Sequence, residues 1–346
     1  MSSTLQAHHL RFLCTAFLLM LACAGFTRAQ LTQDGRWDNG ISEPWWFTDE
    51  TTRHDEIHKA QLRWQEIGAE NSAAESNEWA GDYFIGGETS GSYLRWSPQN
   101  GFVLMNVNKC AAYVRSFSYG EVKVTPASIE FYTAKSVKPS SLDEHTPYQL
   151  PTRFLPVKWR GVAYLVPEKE MDDFGDYVAG LGSYNAGSAG YWSEGASFLY
   201  KLGVKETGSI DELPVVPRGY ERFIKKPIEA KITAVGTRVV KRRQEQPDED
   251  AYYQSEMPVT INAGKAEGVK PQMSFFVLVS GASEEVKIRK VREHSSLGVI
   301  IRFLKEDEDA PPVLWKDEED MDYLPITVGW ELTTSPFKFA AAQFPD

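Results

Sequence analysis

Asp82-Tyr83-Phe84-Ile85, Tyr93-Leu94-Arg95-Trp96-Ser97 and Phe102-Val103-Leu104-Met105-Asn106 are three short aromatic and aliphatic runs, parted by Gly, Ser, Pro and Asn. Runs of this kind between turn formers predict strands. Three more follow at similar spacing: Ala112–Phe117, Glu121–Thr125 and Ser128–Tyr132. Even spacing and short connections predict an antiparallel meander. Two closures are open to it, a small barrel or a sandwich.

Working outward, the segment 30–78 reads as helical. From Thr48 to about Ile67, Ile57, Ala60, Trp64 and Ile67 recur at three- and four-residue steps, acids fill the first turn, and Gly68 follows. His54 and His58 lie one turn apart on another face of this helix. A zinc-protease motif needs Glu directly after the first His, and Asp55 stands there, so they read as surface histidines.

Downstream, Pro156–Pro167 predicts a strand pair and Glu168–Leu181 a short helix whose Met171, Phe174 and Val178 share a face. Both belong to a first domain over 79–212. Gly180–Ser197 has the composition of a surface loop, and its Gly187-Ser188-Ala189-Gly190 is out of register for a nucleophile elbow. Leu213-Pro214-Val215-Val216-Pro217 opens a linker over 213–225. A second strand-rich unit follows over 226–335, with strands at Ile228–Lys241, Met257–Asn262, Ser274–Val279, Val286–Arg292, Leu297–Phe303 and Thr327–Leu332. These suit a small closed barrel, and the slip in alternation after Val286 marks a bulge. Residues 336–346 read as a tail. The fold class is therefore mainly β with a few helices.

Three resemblances bear on these units. Trp79-Ala80-Gly81-Asp82-Tyr83 is similar to the opening Trp-x-Gly-x-Tyr of avidin- and lipocalin-like barrels. That resemblance implies a cup whose tryptophan closes one end. The run Val259-Thr260-Ile261-Asn262-Ala263-Gly264-Lys265-Ala266-Glu267-Gly268-Val269-Lys270-Pro271-Gln272-Met273-Ser274 resembles the strand–turn–strand unit of barrel domains in bacterial envelope proteins, such as flagellar assembly protein T and the rod-shape protein MreC. Gln272 stands where such domains usually carry Gly. With Gly81-Asp82-Tyr83, Gly101-Phe102 and Trp159–Pro167, the chain also resembles uncharacterised exported bacterial proteins, a family that implies no activity.

The N-terminus predicts export. Arg11 precedes an apolar run from Phe12 to Phe26, too short for a mature span, and Thr27-Arg28-Ala29 places a signal cleavage between Ala29 and Gln30. Met20-Leu21-Ala22-Cys23 offers a second reading, a lipoprotein anchored through Cys23. The mature chain has no apolar stretch long enough for a membrane helix. Cleavage after Ala29 leaves Cys110 alone, so no internal disulfide forms and the core must supply stability. Losing Arg11 and Arg28 takes the net charge from −11 to −13, which argues against a nucleic-acid partner. The acidic runs Glu306–Asp309 and Asp317–Asp322 lack the alternation and glycine of a calcium loop. The basic Lys241-Arg242-Arg243 runs straight into an acidic turn.

No catalytic, metal or cofactor motif stands out; His145 and His294 have no local triad context. The expectation is an exported, non-catalytic envelope or secreted protein binding an envelope protein, a glycan or a small ligand, with no cofactor. The alternatives are an exported hydrolase and a lipid-anchored structural protein. The aromatics Trp45, Trp46, Tyr184, Tyr191 and Trp192 are the candidate contact residues.

Overall fold

The computed structural model describes residues 51–73, 77–86, 90–108, 113–137, 150–181, 198–243, 252–279, 284–307, 310–314 and 324–343. The leader with Cys23, Ala29 and Gln30, the aromatics Trp45, Trp46, Tyr184, Tyr191 and Trp192, Cys110, His145 and the run 317–322 lie outside them. The described residues form two compact units. One runs to Glu168 and takes in Phe198–Thr207; the other holds Lys169–Leu181 and everything from Gly208 onward.

In the first unit, β1 (Gly81–Gly86), β2 (Ser90–Ser97), β3 (Gly101–Asn108), β4 (Tyr113–Val124), β5 (Ile129–Val137), β6 (Arg153–Trp159), β7 (Val162–Pro167) and β8 (Leu199–Lys201) close in chain order into an antiparallel barrel. Of the two closures open to the meander, the barrel is the one adopted. Two strands expected at Ala112–Phe117 and Glu121–Thr125 are one, β4. Gly120, which reads as punctuation in sequence, is a point of close approach: a Cβ there would collide with the Tyr132 carbonyl oxygen and lie 2.9 Å from the Phe102 ring. The register between β4 and β5 slips beside it, between Tyr119 and Gly120.

The barrel wall is unevenly zipped. β2 and β3 share eight residue pairs, from Ser90↔Asn108 to Ser97↔Gly101. By contrast β5 and β6 pair only at Ile129↔Phe154 and Glu130↔Arg153.

Inside, Tyr83, Leu94, Trp96, Phe102, Leu104, Ile129, Phe131, Phe154, Leu165 and Leu199 form one apolar cluster. The Phe131 ring meets Trp96, Phe102 and Phe154 edge-on, with centroids 5.9, 5.3 and 5.4 Å away. Edge-to-face contact suits the ring quadrupoles, and it fills this part of the barrel with side chains.

Outside, α1 (Thr51–Asn71) lays Ile57, Ala60 and Ile67 on Phe84, Tyr93, Val103 and Met105, the opposite parity of the same strands. Polar contacts fix its position. Glu70 Oε2 accepts hydrogen bonds from Ser97 Oγ (2.5 Å), Asn100 N (3.1 Å) and Asn100 Nδ2 (2.9 Å), and its Oε1 accepts from Gln99 N (3.1 Å). Arg95, paired with Asp82 at 2.5 Å, lies 4.2 Å from the Trp64 ring. Arg63 donates to the Gly120 carbonyl at 2.6 Å, and Tyr119 donates to Glu56 at 2.5 Å.

The second unit holds β9 (Glu229–Val235), β10 (Val239–Arg243), β11 (Tyr252–Ile261), β12 (Ser274–Val277), β13 (Glu285–Val291), β14 (Ser296–Asp307), β15 (Ala310–Leu314) and β16 (Glu331–Thr333). Its order β11-β9-β16-β12-β13-β14 returns to β11, so six strands close a small barrel and β10 and β15 extend from it. The expected Ile228–Lys241 strand is two, β9 and β10, on either side of Gly236. The bulge anticipated after Val286 is the register slip between Ile288 and Lys290. Ile232, Val259, Ile261, Phe275, Val277, Val286, Ile288, Ile300 and Leu332 fill the interior. In the glycine-marked turn Gly268 has φ 90, and Gln272 takes φ 72, the left-handed conformation that glycine usually supplies.

The α2 helix (Met171–Ala179), which the sequence places with the meander, groups with the second unit. Thr334 Oγ1 donates to the Ala179 carbonyl at 2.6 Å, and Lys225 pairs with Asp176 at 2.7 Å. Residues read as a tail form α3 (Pro336–Gln343), whose buried Phe339 stacks on Phe276 at 5.1 Å. No helix among the described residues is long and apolar enough to cross a membrane.

Candidate binding site

Parity decides what faces the first barrel's interior. Leu94 and Trp96 on β2, and Phe102 and Leu104 on β3, point inward, so Ser92 and Asn106 on the same parity do too. Register then sets them together: Ser92 pairs with Asn106, and Asn106 with Ser116 on β4. Ser92 Oγ donates to Asn106 Oδ1 at 2.6 Å, and Asn106 Nδ2 donates to Ser116 Oγ at 2.8 Å. All three are buried, at 5%, 6% and 2% exposure, so water does little to satisfy what the row leaves over. An amide carries two N–H groups and a hydroxyl one O–H. Of these, the second Asn106 N–H and the Ser116 O–H meet no acceptor among the described residues.

Two residues on from Ser116 along β4, and separate from the row, Ser118 Oγ donates to the exposed Ser136 Oγ at 3.0 Å. The side chains in the row are neutral, and the apolar cluster lies below. In chain order this is the end from which the connections 87–89, 109–112 and 138–149 depart.

The opposite end carries the residues of the cup-like motif. Tyr83 is fully buried and its hydroxyl donates to the Trp79 carbonyl at 2.6 Å. Burial first, and the Glu78 carboxylate second, push the Tyr83 hydroxyl far above the usual phenol range. Trp79 is half-buried against the interior cluster, with Lys158 Nζ 5.4 Å from its ring. Trp96 adds a buried indole N–H with no hydrogen-bond partner among the described residues.

Elsewhere, His58 is exposed on α1, and His294 is exposed beside Glu267 at 3.3 Å. Among the described residues no three His, Cys, Asp or Glu side chains are placed to hold a metal. The second unit buries an ion pair between Arg302 and Glu284, in which Arg302 also donates to the Leu324 carbonyl at 2.6 Å. None of the five aromatics singled out in sequence falls among the described residues. Ser92, Asn106 and Ser116 were not singled out, although their signal was available: polar residues at the inward parity of strands whose other inward positions are Leu, Trp and Phe.

Comparison of the chain with protein-family models, curated proteins and solved structures finds no match.

Proposed function

We propose that this chain is an exported, non-catalytic binding module whose first barrel takes a small neutral ligand rich in hydroxyl or carbonyl oxygens, of the sugar or polyol type. The observation that carries the reading is the Ser92–Asn106–Ser116 row, with two donors that meet no acceptor among the described residues. A buried donor without a partner costs about 1–3 kcal/mol, and a ligand oxygen would remove that penalty. Neutral groups favour a neutral ligand, because a charged one would lose its hydration with no counter-charge. The aromatic cluster restricts the ligand to the polar end. Export rests on Arg11, the apolar Phe12–Phe26 and the small residues before Gln30.

Isothermal titration calorimetry against a panel of neutral mono- and disaccharides tests the binding. The expected result is saturable binding that Asn106→Ala abolishes. A panel without a binder, or a binder indifferent to Asn106→Ala, overturns the assignment. Intact mass from the native host tests export: a chain starting at Gln30 supports it, a diacylated Cys23 assigns the lipoprotein instead, and an uncleaved chain sinks both.

A further inference from the structure

The β10 strand ends the sheet of the second unit. It pairs with β11 on one side, from Val239↔Glu256 to Arg243↔Tyr252, and nothing among the described residues pairs with its other side. Val239, Val240, Lys241 and Arg242 are all exposed, the valines at 45% and 44%. Successive residues of a strand point to opposite faces, so this hairpin meets solvent on both. Exposed edges present unpaired backbone N–H and C=O groups, a template for an added strand, and apolar side chains on both faces would gain from cover.

Charge selects the occupant. Lys241 is held by Glu256 at 2.5 Å. Arg238 bonds the uncharged Ser255 at 2.7 Å, and neither Arg238 nor Arg242 meets a carboxylate among the described residues. In a chain of net charge −11, Arg238–Arg243 brings four cations and no acid to this edge, and the four acids of 244–250 follow beyond its end. A second copy docking edge to edge would bring these cations near their own kind, and like charges across a strand pair repel. We propose that β10 is a docking edge for an extended acidic segment of a partner protein, which adds as a further strand. Its acids would face Arg238 and Arg242 on one face of the strand, and its apolar residues would cover Val239 on the other. This site is independent of the first barrel.

Fluorescence anisotropy with the full mature chain tests it. The probe is a fluorescein-labelled octapeptide alternating valine with glutamate, and the control alternates valine with lysine. The acidic probe should bind saturably and at least about tenfold more tightly than the control. Arg242→Glu combined with Val240→Asp, both exposed positions, should lower probe affinity at least about tenfold with an unchanged melting temperature. N-methylation along one edge of the probe should abolish binding, because strand addition uses the backbone. Equal affinity for both peptides, or a double variant that binds normally, overturns the proposal. So does concentration-dependent dimerisation that the double variant abolishes, which would make a second copy the occupant.

Discussion

Replacing Asn106 by leucine keeps the volume and removes both hydrogen bonds of the interior row. Ser92 then loses the acceptor at 2.6 Å and Ser116 the donor at 2.8 Å, with both serines at or below 5% exposure. Each buried polar group stranded in this way costs about 1–3 kcal/mol, and removing the Asn106 N–H that already lacks an acceptor returns one such term, so Asn106→Leu should destabilise the first unit by a net of about 1–3 kcal/mol. The triple variant Ser92→Ala, Asn106→Leu, Ser116→Ala strands nothing and converts the row to apolar packing. It should fall within about 1 kcal/mol of wild type, despite carrying more substitutions. Urea unfolding followed by near-ultraviolet circular dichroism measures both, with unchanged m-values showing that the same surface is exposed. A triple variant as unstable as Asn106→Leu alone would refute the reasoning, since the row would then matter for shape and not for partnered polarity. A triple variant as stable as wild type that binds no sugar would show that the row is kept for a ligand.

Other outcomes follow from single residues. Gln272→Gly relieves a left-handed backbone costing about 1–2 kcal/mol but loosens the unfolded chain by about 0.5–1, so thermal melts should show a net gain of about 0.5–1 kcal/mol. Gly268→Ala, at φ 90, should lose about 1–2 kcal/mol in the same assay. Glu70→Ala removes four hydrogen bonds to residues 97–100 and should cost about 2–3 kcal/mol, with faster amide exchange at Gln99 and Asn100. The Tyr119 hydroxyl, and then Lys59, hold the Glu56 carboxyl below its ordinary value of 4.5. A lowered native value gives stability that is present above that ordinary value and lost as pH falls below it. Acid titration of the melting temperature should therefore show a decline under pH 4.5 that is shallower in Glu56→Gln, the remainder coming from Glu130, Glu267 and Glu331, which are lowered too.

Most strands were legible because period-two alternation between turn residues needs only local sequence. Where the reading failed, a contact distant in sequence had decided the outcome. Gly120 looks like a break until Phe102 and Tyr132 are seen against it. The helix Met171–Ala179 follows the meander in the chain, yet its end is held by Thr334, which no local pattern announces. Phe339 in a supposed tail stacks on Phe276, more than sixty residues away. The polar row was legible only strand by strand, through the parity of each residue, and its assembly was not. Ser92, Asn106 and Ser116 become neighbours only once the register of three strands is known, and serine and asparagine in short strands otherwise pass for turn residues. The aromatics drew attention by composition, whereas the hydroxyl row depends on parity.

The short joins of the first barrel fall on one flank. A hoop of antiparallel strands resists opening in proportion to the rungs that must break together; β5–β6, β7–β8 and β1–β8 each hold with two pairs, while β2 and β3 hold with eight. Local opening forfeits the fewest bonds at the short joints, so backbone amides there should exchange ahead of those along β2 and β3. The ring is thus riveted on the side that carries Ser92 and Asn106 and only laced on the side that β8 closes.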